Sequence, residues 1–177
     1  MKKNNLIQFT KIRDVKSPNR ANSNDAGTDF YIPNFTEDFL VDLKKKNENQ
    51  KLVYYIKDNN LNISIPPGNE IIIPSGIKVN ILDKTTYLEA NNKSGIATKK
   101  QLLVGASIID SDYQGEVHIN VHNVSDHDIK VQCGDKLVQF IHKEFINTKW
   151  EEIDNENYNK IPTSDRGKGG FGSSGTK

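Results

Sequence analysis

Cysteine is nearly absent from the 177-residue sequence, and the single Cys133 excludes an internal disulfide framework and a thiolate zinc site. Long apolar runs are absent too. The opening stretch MKKNNLIQFTK is too short in apolar residues for a signal peptide or a membrane span, so the expectation is a soluble, cytoplasmic protein without a membrane partner. Charge of one sign is also missing: 24 basic side chains face 23 acidic ones, which leaves no overall field to draw the chain onto nucleic acid. Arginine is scarce, three residues against 21 lysines. Arg166 therefore hints at a need for a planar, bidentate fork.

What the sequence does contain is a series of short period-two stretches: LIQFTKI, KLVYYI, LNISI, EIIIPSGIKVNI, TTYLEA, EVHINVHNV, HDIKV and KLVQFIHKEF. Turn signals separate them, namely PPGN, PSG, NKSG, YQGE, SDHD and QCGD. Many short strands with turns at such spacing predict an all-β sandwich or barrel of antiparallel strands. In EVHINVHNV, Val117, Ile119 and Val121 face a core while His118, Asn120 and His122 face away. The two histidines lack a third metal ligand and read as a polar face at a subunit contact.

Two segments break this rhythm. Residues 36–60 open with a short helix capped by Asn34 or Thr36, its apolar stripe being Phe39, Leu40 and Leu43, and continue as an exposed lysine- and asparagine-rich loop into KLVYYI. Residues 154–177 turn polar and then glycine-rich and read as an extended arm. The last twelve residues, RGKGGFGSSGTK, cannot bury enough apolar surface to order on their own. They are either a solubilising tail or a flap that orders over a ligand, with Arg166 for anionic oxygens and Phe171 for a flat ring.

Two further stretches carry chemistry with open alternatives. IIDSDYQGE at 108–116 is an Asp-rich turn between strands, or it presents Asp110 at the lip of an apolar strand as a general base. NKSGIA at 92–97 is a turn, or an anion cradle built from Lys93, the Ser94 hydroxyl and backbone N–H groups near Gly95.

Taken in order, NDAGTDFY at 24–31, NKSGIA, IIDSDYQGE, GDKLVQFI at 134–141 and RGKGGFGSSG resemble the five motifs of the trimeric dUTP nucleotidohydrolases, the dUTPases. The resemblance spans nearly the whole chain as a single domain, 1–177, with 36–60 as a family-atypical insertion and 154–177 as a C-terminal arm. It implies a β jelly roll forming a homotrimer with sites shared between subunits, and Mg²⁺-dependent hydrolysis of dUTP to dUMP and pyrophosphate. By the same resemblance Asp110 would activate the attacking water, and Tyr113 would lie against the deoxyribose and exclude a 2′-hydroxyl. Lys93, Ser94, Gly95 and Gln139 would meet the phosphates. The segment 104–109, with Val104, Ser107, Ile108 and Ile109, would read uracil largely through its backbone. Phe171 would stack on the base while Arg166, Gly172 and Ser173 hold phosphates; His118 is counted among the substrate-binding residues. Asp29 would touch the Mg²⁺ water shell, or else be a buried structural Asp.

The chain departs from the family pattern in three places. Asn92-Lys93 stands where Pro-Arg is usual, which keeps a charge and loses a fork. Ser107 stands where glycine is common, and residues 36–60 are either harmless decoration or a docking surface for another protein. Two rival functions remain: a dCTP deaminase-like relative on the same fold, and a dUTPase with an added protein-binding regulatory role.

Overall fold

The alternation in EVHINVHNV is realised as a strand with Val117, Ile119 and Val121 buried and His118 and His122 half-buried on the other face. The computed structural model describes residues 6–50, 53–57 and 60–169, the backbone alone at 53–57 and 60. Along the chain run β1 (Ile7–Lys11), β2 (Thr28–Asp29), α1 (Glu37–Lys46), β3 (Val53–Lys57), β4 (Asn60–Ile65), β5 (Glu70–Ile81) and β6 (Thr86–Asn92). A π-helical turn at Ile96–Lys100 follows, then β7 (Leu102–Val104), β8 (Ile108–Ile109), β9 (Glu116–Asn123), β10 (Ile129–Val131), β11 (Val138–Glu144) and α2 (Asn155–Asn159).

Every strand pairing is antiparallel, as the short strands and tight turns require. The strands form two four-stranded sheets, ordered β1-β5-β9-β7 and β2-β11-β6-β8, and a three-stranded sheet ordered β10-β4-β3. Their inner faces share one core: Ile71, Ile73, Ile119 and Val121 from the first, Phe30, Leu88, Val138 and Phe140 from the second, Ile63, Ile65, Ile129 and Val131 from the third. Phe30 and Phe140 pack with ring centroids 4.4 Å apart. Each such side chain contributes about 1.5–3 kcal/mol when fully buried, so the layered arrangement is set chiefly by these strand faces. The expected all-β jelly roll is the fold observed.

Within the 36–60 segment, residues 36–47 form a capped helix anchored to the core. Thr36 caps α1 by accepting from the Phe39 N–H, acidic Glu37 and Asp38 begin it and Lys44, Lys45 and Lys46 end it, each favourable with the helix dipole. Phe39 and Leu43 are fully buried in the main core. Asn47, read from the sequence as part of a solvated run, is buried instead: its carboxamide donates to Leu43 O at 2.7 Å and Ile72 O at 2.8 Å and accepts from Ile72 N at 2.8 Å. That carboxamide serves Ile72 as a neighbouring strand would. Arg13 adds a second clasp, forking onto Glu116 at 2.8 and 2.9 Å and reaching Asp42 at 2.5 Å over the Phe39 ring. The helix is thus bolted to the first sheet.

Two smaller expectations also change. PSG is a bulge within the continuous β5, where the register shifts between Pro74 and Lys78, and not a turn between strands. Residues Met1–Ile146 and Asn147–Lys177 form two compact units, and the second is not wholly extended: Asp154 caps α2 by accepting from the Asn157 N–H at 2.7 Å. Among the described residues no helix is long and apolar enough to cross a membrane.

Candidate active site

At the end of β8 the chain leaves the second sheet and presents Asp110 to solvent. A tight turn follows, closed by the Tyr113 N–H donating to Asp110 O at 3.1 Å, and Lys84 pins it by donating to Ser111 O at 2.7 Å and Ile81 O at 2.8 Å. Tyr113 folds back over Gly115 and its hydroxyl donates to Glu116 O at 2.9 Å. Asp110, Tyr113, His118, Ile108, Ile109, Ala106 and Val117 line one cavity of about 190 Å³. Four of the expected substrate residues and the expected base therefore meet in one place. Burial pushes the His118 imidazole below its ordinary range, and the ammonium of Lys46 on α1 adds to the shift. His118 faces this cavity as a neutral ring at neutral pH.

Residues 104–109 carry the chain from β7 in the first sheet to β8 in the second. The link is held from behind by Asn120, whose backbone O accepts from Gly105 N at 3.0 Å and whose Oδ1 accepts from Ala106 N at 2.7 Å. A Cβ on Gly105 would stand 2.0 Å from that same Oδ1, so the close approach requires glycine. Ser107 O accepts from Ala90 N at 2.7 Å, and the half-buried Ser107 side chain does not displace the link from β6. Ile108 is exposed and Ile109 buried.

A second group forms where β2, β6 and β11 run side by side. Asp29, only 3% exposed, receives Lys93 on Oδ1 and Lys136 on Oδ2, the latter at 2.9 Å. Burial alone would push this carboxyl up, but the hydrogen bonds from Lys93 and Lys136 more than offset that and hold it below the usual carboxylate range. Lys136 is raised in return by its bond to Asp29. With both oxygens facing ammonium groups, Asp29 has the geometry of the buried structural Asp that is the alternative to contact with a Mg²⁺ water shell. Among the described residues no cluster of three or more His, Cys, Asp or Glu side chains could hold a metal ion.

Gln139, paired with Asp29 in register, donates its side-chain N–H to Asn92 O at 2.9 Å. Lys93 O accepts from Ile96 N and Ala97 N at 3.0 and 2.8 Å, which starts the helical turn containing exposed Ser94 and Gly95. Gly95 has ordinary right-handed helical dihedrals and open space where a Cβ would be. In the second unit Arg166 is exposed, and its Nε donates to Gly169 O at 2.9 Å. Phe171, Gly172 and Ser173 lie outside the described residues.

Lys136 and the two asparagines Asn92 and Asn120 were not singled out as site residues by sequence. Lys136 sits inside the fourth motif, yet its partner lies 107 positions away and no local pattern links them.

A family model described as dUTPase matches residues 59–175. The deoxyuridine 5′-triphosphate nucleotidohydrolase of Shewanella baltica (strain OS155 / ATCC BAA-1091) is 33% identical over 117 residues, covering 65% of this chain and 74% of that protein. The dUTPase of Staphylococcus bacteriophage 80alpha, solved with dUPNHPP, superposes with a TM-score of 0.71 at 18% identity, covering 97% of this chain and 99% of that one. A dUTPase from phage phi11 of S. aureus, whose structure details a structural Mg(II) ion, superposes with a TM-score of 0.64 at 16% identity over 85% of this chain and 98% of that one.

Proposed function

This chain belongs to the dUTPase family, and from that membership we propose that it hydrolyses dUTP to dUMP and pyrophosphate. The observation that carries the reading is the cavity in which Asp110 meets Tyr113 and His118 at the end of the 104–109 link. Asp110 accepts a proton from a water as the water oxygen attacks the α-phosphorus. The bond from that phosphorus to the bridging oxygen breaks, and pyrophosphate leaves with the electron pair. An aligned base of this kind contributes on the order of a hundred- to ten-thousand-fold. Tyr113 packs against the deoxyribose and leaves no room for a 2′-hydroxyl.

The base belongs to the 104–109 link and the phosphates to Lys93, Ser94, Gly95 and Gln139. Bound with the triphosphate, Mg²⁺ would neutralise charge on the oxygens held by Lys93, Ser94, Gly95 and Gln139, while Asp29 serves Lys93 and Lys136. The chain works as a homotrimer whose sites are shared between subunits. Residues 154–177 act as the closing arm, with Arg166, Gly172 and Ser173 on phosphates and Phe171 on the base.

Pyrophosphate release measured across the eight common ribo- and deoxyribonucleoside triphosphates tests the reading. Turnover of dUTP well above the other seven is expected, with Asp110→Asn lowering kcat about a hundredfold or more while dUTP binding stays within a few fold. Ammonia released from dCTP, or an Asp110→Asn protein keeping a third of wild-type kcat, overturns it.

A further inference from the structure

Asn92 closes β6 immediately before Lys93, Ser94 and Gly95, and three separate parts of the site converge on it. Its side-chain Oδ1 accepts from the Val104 N–H at 2.8 Å, the first residue of the 104–109 link. Its backbone O accepts from the Gln139 side chain at 2.9 Å, and it stands opposite Val138 in the β6–β11 ladder. The link is held at its far side by Asn120, through Gly105 N and Ala106 N. Asn92 holds the start of the link, Val104, to the end of β6, while Ser107 O on Ala90 N and the pairing of Ile108 and Ile109 with Glu89 and Leu88 hold its later part.

A proline, usual at this position by the family resemblance, has no side-chain acceptor and could not make the bond to Val104. Resting on the dUTP reading above, we propose that Asn92 is a positioning residue that sets the 104–109 link against the phosphate-binding segment and thereby tightens discrimination of the nucleobase. At 2.8 Å the bond has ordinary hydrogen-bond length, and an exposed carboxamide side chain that could turn to water is instead held on a backbone N–H. Its role is to fix a distance. With the tether cut, Val104 at the start of the link can recede from the end of β6 while 107–109 stay on it, and a pyrimidine bearing a 5-methyl group gains the room it lacks in the wild-type site.

The test compares kcat/KM for dUTP and dTTP in the full-length protein and in Asn92→Ala, Asn92→Leu and Asn92→Asp. The two nucleotides carry the same triphosphate, so any charge effect at position 92 cancels in their ratio. Asn92→Ala and Asn92→Leu each remove the acceptor and are expected to lower the dUTP to dTTP ratio about five- to tenfold, the worth of one hydrogen bond. Asn92→Asp keeps an acceptor and should retain the wild-type ratio even if its negative charge raises KM for both nucleotides. A merely structural role would change stability and overall rate without moving the ratio. An unchanged ratio in whichever of the Ala and Leu variants folds, or an Asp variant as unselective as they are, overturns the proposal. If the wild-type protein itself shows no preference for dUTP, the underlying dUTPase reading fails instead, and the two failures are distinguishable.

Discussion

The Tyr113 ring lies so close over Gly115 that a Cβ added there would stand 2.3 Å from the Tyr113 hydroxyl oxygen. Gly115→Ala therefore must swing the tyrosine out, while its backbone needs no left-handed dihedral and the core is untouched. The ratio of kcat/KM for dUTP over UTP should fall in Gly115→Ala as it falls in Tyr113→Ala, through a gain with UTP, at a stability cost below about 1 kcal/mol. An unaltered ratio in both variants would leave Tyr113 as packing only.

Gly95 makes the opposite case. Among the described residues nothing fills the space beside it and its dihedrals are those of an ordinary helical residue, so Gly95→Ala should be neutral or stabilising by up to about 1 kcal/mol. A phosphate oxygen drawn against the backbone there would collide with the new methyl. The expected outcome is a melting temperature at or above wild type together with KM for dUTP raised tenfold or more, and a wild-type KM would remove Gly95 from the binding surface.

Asp29 is where charge and stability meet. Its folded carboxyl is held below the ordinary value, so the stabilisation it supplies is present above the unfolded carboxyl range and is lost as pH falls through the folded value. Asp29→Asn leaves Lys93 and Lys136 without a counter-charge, and because both lysines are partly exposed the loss at pH 7 should be about 1–3 kcal/mol in urea unfolding. The gap to wild type should close as pH falls through that lowered folded value. The Mg²⁺ concentration giving half-maximal turnover should not move, and a tenfold rise would return Asp29 to the metal.

Sequence periodicity located the long strands because one face of each is core: β4, β5, β9 and β11 fall within a residue or two of the alternating stretches. It did not locate β2, two residues long, since so short a pairing is set by the strands alongside and leaves no period to detect, and β8, equally short, is read only as the two isoleucines before Asp110. The motif order pointed to Asp110, Tyr113 and Lys93, but not to what orients them. Asn47 looked solvated because lysines and asparagines surround it, yet a carboxamide can complete a strand edge as well as it can meet water. Arg13 and Glu116 are 103 positions apart, and only the fold brings the helix of the insertion to the strand beside Tyr113.

That helix supplies its own test. Phe39 and Leu43 are fully buried and Asn47 satisfies both backbone groups of Ile72, so the helix is docked onto the core through these three residues. Phe39→Ala should cost about 3–5 kcal/mol, and Asn47→Leu about 1–3 kcal/mol from the polar groups it leaves unpaired. Denaturant midpoints measured on both variants decide it, and losses under about 0.5 kcal/mol would restore the decoration reading.

The trimer and its shared sites can be tested with two inactive proteins. An Asp110→Asn chain still offers its arm, and a chain stopped after Asp165 still offers the base but lacks Arg166 and Phe171. If the arm acts on a neighbour's base, a mixed trimer contains pockets that combine an intact Asp110 with an intact arm, which neither parent alone can form. Closed cyclic symmetry gives each chain an equivalent neighbour, so every mixed trimer, of either composition, contains one such pocket. The two chains, coexpressed with different affinity tags and purified through both, should therefore recover roughly a fifth to a third of wild-type turnover, since at most one of the three pockets is complete. Mixed trimers verified by mass that stay as inactive as either parent would mean that each arm closes on its own subunit.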